Sequence, residues 1–201
     1  MTAGIKIATC VFTTIAAVTL VTDPAPPEAP VPHSAGLGSK KGPPIDELPE
    51  TPVLATLVDV HTGEHVVLDS VRPETPRFDA FLSDRVTGAT HAIDPALLQL
   101  LRGLAARHPA SRIEVVSGYR SPKLNEILRK KGHHVASHSQ HTLGHACDFR
   151  VVAPGDERAL DPRLVEQEIR GLGWTGGIGV YPNKDDWFIH ADVGPTRRWL
   201  N

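Results

Sequence analysis

Two histidines and one aspartate carry the chemistry that this sequence can do. His141 and Asp148 lie in Ser139-Gln140-His141-Thr142-Leu143-Gly144-His145-Ala146-Cys147-Asp148, and His190 lies in Trp187-Phe188-Ile189-His190-Ala191-Asp192. Two imidazoles and a carboxylate suit a divalent metal, zinc above all. Three protein ligands leave a fourth tetrahedral position open, which is what a catalytic site needs. The trio therefore points to a metal-dependent hydrolase. Each residue also has a plainer reading. The chain has 11 histidines, and most need no role. His133, His134, His138 and His145 crowd the same loop, and Asp148 could simply pair with Arg120 or Arg150.

The elements that would hold the trio can be read from residue pattern. Side chains alternate across a strand, so in Ala146-Cys147-Asp148-Phe149-Arg150-Val151 the carboxylate of Asp148 faces away from Cys147 and Phe149. Cys147 and Phe149 can enter the core while Asp148 faces a cleft. Ala146, on the same face as Asp148, leaves room there. Gly144 permits a positive φ between His141 and the strand. On the second strand Phe188, His190 and Asp192 share a face.

Upstream, residues 53–60 and 65–69 flank His61-Thr62-Gly63-Glu64 and predict a hairpin. A short helix is expected within 76–85. Asp94 caps a helix with Pro95 in its first turn and Leu97, Leu98, Leu101 and Leu104 as its apolar stripe. Ile113-Glu114-Val115-Val116 reads as a strand. Ser121-Pro122 starts a second long helix carrying Leu124, Ile127 and Leu128, closed by Gly132. Asp161-Pro162 starts a third, with Leu164, Val165, Ile169 and Leu172, closed by Gly173. Strands at 177–181 and 188–192, joined by a turn at 182–185, finish the domain. The expected fold class is α+β, a small, mostly antiparallel sheet with helices packed to one side.

Composition narrows the class. A net charge of -2 gives no electrostatic footprint for nucleic acid. The two cysteines, Cys10 and Cys147, are not expected to meet, and any metal site must be built from His and carboxylate. Residues 1–22 read as a signal peptide or N-terminal anchor: Lys6 precedes an uncharged apolar run from Ile7 to Val21, short for a membrane span. Export with cleavage is expected, although no clear small-x-small site follows, which leaves an uncleaved anchor open. Any membrane tether would run through this segment only. Residues 23–52 form a Pro/Gly-rich linker that cannot bury enough apolar surface to order itself. The folded domain is expected over 53–201.

The complete string Ser-x-His-x-x-Gly-x-Ala-x-Asp at 139–148, followed about forty residues later by an apolar strand with an embedded His, resembles the M15/LAS-type zinc D-Ala-D-Ala peptidase clan. The resemblance is closer to its DUF882/YcbK-like exported murein endopeptidase branch. Further stretches carry it in order: 61–64, Phe78 to Arg85, His91 to Pro95, Ser117-Gly118-Tyr119-Arg120-Ser121-Pro122, Gly176 to Pro182, and His190-Ala191-Asp192-Val193-Gly194. It implies a hedgehog/DD-peptidase-like fold, one zinc per chain held by His141, Asp148 and His190, and an exported protein of the periplasm or cell envelope. Peptidoglycan would be the substrate and the partner. Arg120 would hold a substrate carboxylate or steady the oxyanion.

The general base is less defined. Other branches place an acidic residue a few positions before the last His, but the third position before it here is Trp187. Strand parity puts Asp192 and Asp186 on the His190 face. Asp192 fits the branch's His-x-Asp pattern and comes first, although it could instead orient a ligating His. The implied reaction is zinc-dependent hydrolysis of amide bonds in stem peptides or cross-links. A D,D- or L,D-carboxypeptidase of the same fold, or a non-catalytic zinc-containing cell-wall binding protein, remain the alternatives.

Overall fold

The computed structural model describes residues 51–131 and 138–201. The export segment, the linker up to residue 50, Gly132, His133 and His134 lie outside the described residues. Among those described, no helix is long and apolar enough to cross a membrane.

The first hairpin forms where the β-rich runs predict it. Strand β1 (Ala55–Asp59) pairs antiparallel with β2 (His65–Leu68), and Gly63 takes the positive φ of the turn between them. Helices α1 (Thr75–Phe81) and α2 (Pro95–Arg107) follow. Asp94 caps α2 by accepting the Ala96 N–H, and Leu97, Leu98, Leu101 and Leu104 are buried as the spacing predicts. Strand β3 (Ser111–Ser117) then runs parallel to β1. Helix α3 (Pro122–Lys130) is capped by Ser121. A single 3₁₀ turn over Gln140–Leu143 leads into β4 (Ala146–Val152).

Helix α4 (Pro162–Gly171) starts at its Asp161 cap, and Gly173 turns the chain with positive φ. Its buried face differs from the expected one: Pro162, Val165, Glu166 and Ile169 are buried, while Leu164 and Leu172 are exposed. The reason is a polar anchor, because Arg198 clasps Glu166 through two hydrogen bonds of 2.6 and 2.9 Å and turns that stripe inward. Strands β5 (Gly177–Pro182) and β6 (Trp187–Asp192) form the second hairpin.

The last strand, β7 (Arg197–Leu200), is not evident from pattern, since Arg-Arg-Trp-Leu shows no apolar alternation. It pairs parallel with β5. The chain crosses from β6 to β7 past the start of β5, where any side chain on Gly176 would collide with the Asp192 carbonyl. The result is a seven-stranded mixed sheet in the order β2-β1-β3-β4-β6-β5-β7, antiparallel except for the β1–β3 and β5–β7 pairs. Leu57, Ile113, Phe149, Val151, Ile178, Val180 and Ile189 from alternate strand positions join α1, α2 and α4 in one apolar cluster. These helices thus cover one face, and the other face carries the polar residues of β4 and β6. The fold is α+β with a mostly antiparallel sheet, as expected.

One buried carboxylate locks the segment leading to α3. Asp84 is fully buried and accepts the N–H groups of Val86, Thr87 and Ser121 at 2.8, 2.8 and 2.6 Å. Burial alone would raise its pKa, but these donors outweigh it and bring it from 3.8 to about 2. The folded value lies below the unfolded one. Its stabilisation is therefore complete above pH 3.8 and is lost as pH falls through about 2. Asp84→Ala is expected to lower unfolding stability by about 3 kcal/mol and to flatten the acid limb of the stability curve. Urea unfolding of both proteins between pH 2 and 7 checks both effects.

Candidate metal centre and active site

The trio is assembled by three separate devices. His141 sits in the 3₁₀ turn, which Ser139 caps by accepting the His141 N–H at 3.3 Å. Gly144 ends that turn at φ 70, where a Cβ would lie 2.2 Å from the Ala92 carbonyl oxygen. Only glycine lets the chain pass this point and enter β4 directly. Asp148 lies in the middle of β4, and its register partner on β6 is His190. Cross-strand partners share a face, so the pairing turns both side chains to one side. The register on the other flank shifts between Val115 and Ser117, which brings Ser117 opposite Asp148.

The ligand atoms converge tightly. His141 Nε2 is 3.2 Å from Asp148 Oδ1 and 3.2 Å from His190 Nδ1, and His190 Nδ1 is 2.7 Å from Asp148 Oδ1. Donors about 2.0–2.2 Å from a tetrahedral zinc would stand about 3.3–3.6 Å apart. Two of these separations fall just short of that range; the third is shorter and needs a small opening. All three residues are buried.

Outer hydrogen bonds decide which ring atoms face inward. His141 Nδ1–H donates to the Gly118 carbonyl at 2.7 Å, and His190 Nε2–H donates to Asp192 Oδ2 at 2.9 Å. Carbonyl and carboxylate oxygens only accept, so the neutral rings present lone pairs at His141 Nε2 and His190 Nδ1. With Asp148 Oδ1, three lone pairs meet in a buried space, an arrangement that a cation satisfies and water-free protein does not. The residues present fit zinc on this ground.

The electrostatics of His141 and Asp148 agree, while the raised His190 marks a proton on Nδ1 that a bound cation would displace. Burial and the nearby Arg120 charge bring His141 down to about 4, so its imidazole is neutral at neutral pH. Burial would raise Asp148, but His141 and Arg120 outweigh it and hold the carboxyl well below its usual range. Burial would lower His190, yet its bonds to Asp148 and Asp192 push it up. Asp192 is held below the usual range, because His190, the Gly194 N–H and Arg197 outweigh its burial.

The structure places the other sequence candidates differently. Arg120 Nη2 donates to Asp148 Oδ2 at 2.5 Å and its Nε to Ser117 Oγ at 2.8 Å. Arg120 thus grips the oxygen of Asp148 that faces away from the histidines. Asp192 is fully buried with both oxygens engaged: Oδ2 by His190 and Arg197, Oδ1 by the Gly194 N–H. It stands behind His190, on the far side of the ring from the convergent lone pairs. Asp186 is exposed and precedes β6, so strand parity does not govern it. Its backbone N–H closes the β5–β6 turn on Asn183.

Sequence reasoning missed four neighbours. Arg197 clamps Asp192 at 2.8 Å, and Ser117 steadies Arg120. The Trp199 ring lies 5.1 Å from that of His190, and its Nε1–H donates to the Tyr181 hydroxyl at 3.0 Å. Gly176-Gly177, preceding the Tyr181 stretch, was a signal that backbones approach closely here, and Arg197-Arg198-Trp199 gave none.

A family model described as peptidoglycan L,D-endopeptidase MepK matches residues 50–199, which include the whole trio and β7. The chain belongs to this peptidase family. Among curated relatives, peptidoglycan L,D-endopeptidase MepK of Escherichia coli strain K12 is 33% identical over 162 residues, covering 74% of this chain and 80% of the relative. A protein of Haemophilus influenzae named "Probable peptidoglycan L,D-endopeptidase MepK" is 30% identical over 158 residues, covering 74% and 79%. Family membership makes the chain a metallopeptidase of the M15 type, as the motifs at 139–148 and 190–194 imply.

Proposed function

We propose that this protein is an exported, zinc-dependent murein endopeptidase that hydrolyses amide bonds in peptidoglycan stem peptides or cross-links. The observation that carries the reading is the convergence of three lone pairs from His141, Asp148 and His190, held by outer bonds that fix both ring tautomers. The relatives' printed activity supports peptidoglycan as the substrate. The match over 50–199 supports a peptidase domain over 53–201, and the relatives' printed action on peptidoglycan supports the periplasm or cell envelope as its place.

His141, Asp148 and His190 would hold one zinc per chain. Zinc, when bound, supplies a Lewis acid that acidifies water and polarises the scissile carbonyl. The protein's own groups do the rest. Arg120 fixes the Asp148 carboxylate through Nη2 and keeps Nη1 without a partner among the described residues, available to a substrate oxygen. Asp192 keeps Nε2 of His190 protonated and so turns Nδ1 inward. With Asp192 so engaged, Asp186 is the carboxylate we assign to take the proton from the attacking water. It is open to solvent just before β6.

Purified sacculi incubated with the zinc-loaded chain are expected to release soluble muropeptides, and mass spectrometry of the products identifies the bond cut. Elemental analysis should give about one zinc per chain. Full zinc occupancy with no product from any sacculus preparation would leave a cell-wall binder and sink the peptidase reading.

A further inference from the structure

The β5 side of the trio carries a hydrogen-bond donor with no part in the reaction proposed above. Gly179 on β5 is the register partner of His190. It has no side chain, and the Trp199 indole fills the place: a Cβ there would lie 2.4–2.6 Å from indole Cε2, Cζ2 and Nε1. The indole is thereby wedged beside the His190 ring, with its N–H edge turned along β5 to Tyr181. Two residues beyond Gly179, Tyr181 lies on the same face. Its ring stacks on Phe188 at 4.4 Å and 16° between planes, which limits how far it can swing.

Hydrogen-bond direction then fixes the role of the hydroxyl. An indole N–H only donates, so in the 3.0 Å bond from Trp199 the Tyr181 oxygen is the acceptor. The tyrosine's own O–H has no acceptor among the described residues. A phenol held by a rigid donor on one lone pair, with its proton unspent, is a preorganised donor. Arg120 stands at the β3 side of Asp148 and Tyr181 at the β5 side of His190, so the two flank the convergent lone pairs from opposite directions.

We propose that the Tyr181 O–H donates a hydrogen bond to the oxygen of the scissile carbonyl as negative charge develops there, with Trp199 as its positioning residue. This assignment rests on the peptidase reading. No bond is made or broken by the tyrosine: its proton stays on the phenol throughout, and the hydrogen bond shortens as the oxyanion forms.

Tyr181→Phe keeps the ring on Phe188 and removes only the hydroxyl. In the full chain, kcat on muropeptide is expected to fall about 100-fold, with KM within about threefold and zinc per chain unchanged. Trp199→Phe, which leaves the hydroxyl without its anchor, should lower kcat by about tenfold at similar KM. A phosphinate analogue of the stem peptide, whose tetrahedral oxygens imitate the developing oxyanion, should bind Tyr181→Phe about 100-fold more weakly than the parent. Equal kcat in parent and Tyr181→Phe at equal zinc content overturns the proposal. Equal phosphinate affinity overturns it as well, whatever turnover the parent shows, so its failure is separable from failure of the peptidase reading.

Discussion

Chains carrying His141→Ala are expected to release no measurable muropeptide from sacculi and to retain far less than one zinc each. His141 contributes one of the three convergent candidate ligand atoms among the described residues. Loss of an outer partner of a metal ligand typically costs about 10–100-fold in affinity, and loss of the ligand itself costs more. Turnover should fall by about 10³-fold or more, because the several kcal/mol of charge stabilisation at the carbonyl disappear with the metal. The fold should survive. The substitution leaves the Gly118 carbonyl without its donor, at a cost of about 1–3 kcal/mol, and it also relieves the crowding of lone pairs. Elemental analysis, sacculus digestion and far-UV circular dichroism on the same preparation separate the effects. Wild-type digestion by a folded His141→Ala chain would refute the site.

Asp192→Ala should act differently, and the difference assigns the residue. Asp192 receives His190 Nε2–H and Arg197 on one oxygen and the Gly194 N–H on the other. Without it nothing holds the His190 tautomer, and the inward lone pair on Nδ1 is present only part of the time. Zinc affinity is expected to fall about 10–100-fold, and activity should return as zinc is raised. Arg197 is 43% exposed on its side chain and can turn to water, so the folded state should tolerate the change. A base acting on water predicts the reverse pattern: full zinc and dead enzyme at every zinc concentration. A zinc titration of activity in the purified variant tells the two apart.

How much of this was legible beforehand depends on the reach of each interaction. His141 sits in a 3₁₀ turn, where only the motif at 139–148 marked it. The facing of Asp148 and His190 was legible because strand alternation is a local rule. The caps at Asp94, Ser121 and Asp161 were legible for the same reason. The buried stripe of α4 was misjudged because it depends on Glu166 meeting Arg198, 32 residues later. Strand β7 was missed because a short edge strand of arginines has no apolar period, and its parallel pairing to β5 is a tertiary fact. The role of Asp192 stayed open in the sequence because His-x-Asp fits both a base and an orienting partner. Only the direction of the His190 ring, with Nε2 toward Asp192 and Nδ1 toward Asp148, favours the second.

Strand β7 has one consequence for biosynthesis. The three proposed ligands all precede residue 191, yet the indole that braces Tyr181 and the guanidinium that clamps Asp192 come from Trp199 and Arg197. A nascent chain stalled before Arg197 could gather its ligands but would lack one wall of its cleft and the brace behind a ligand. Completion of the catalytic surface thus waits on the docking of β7 beside β5.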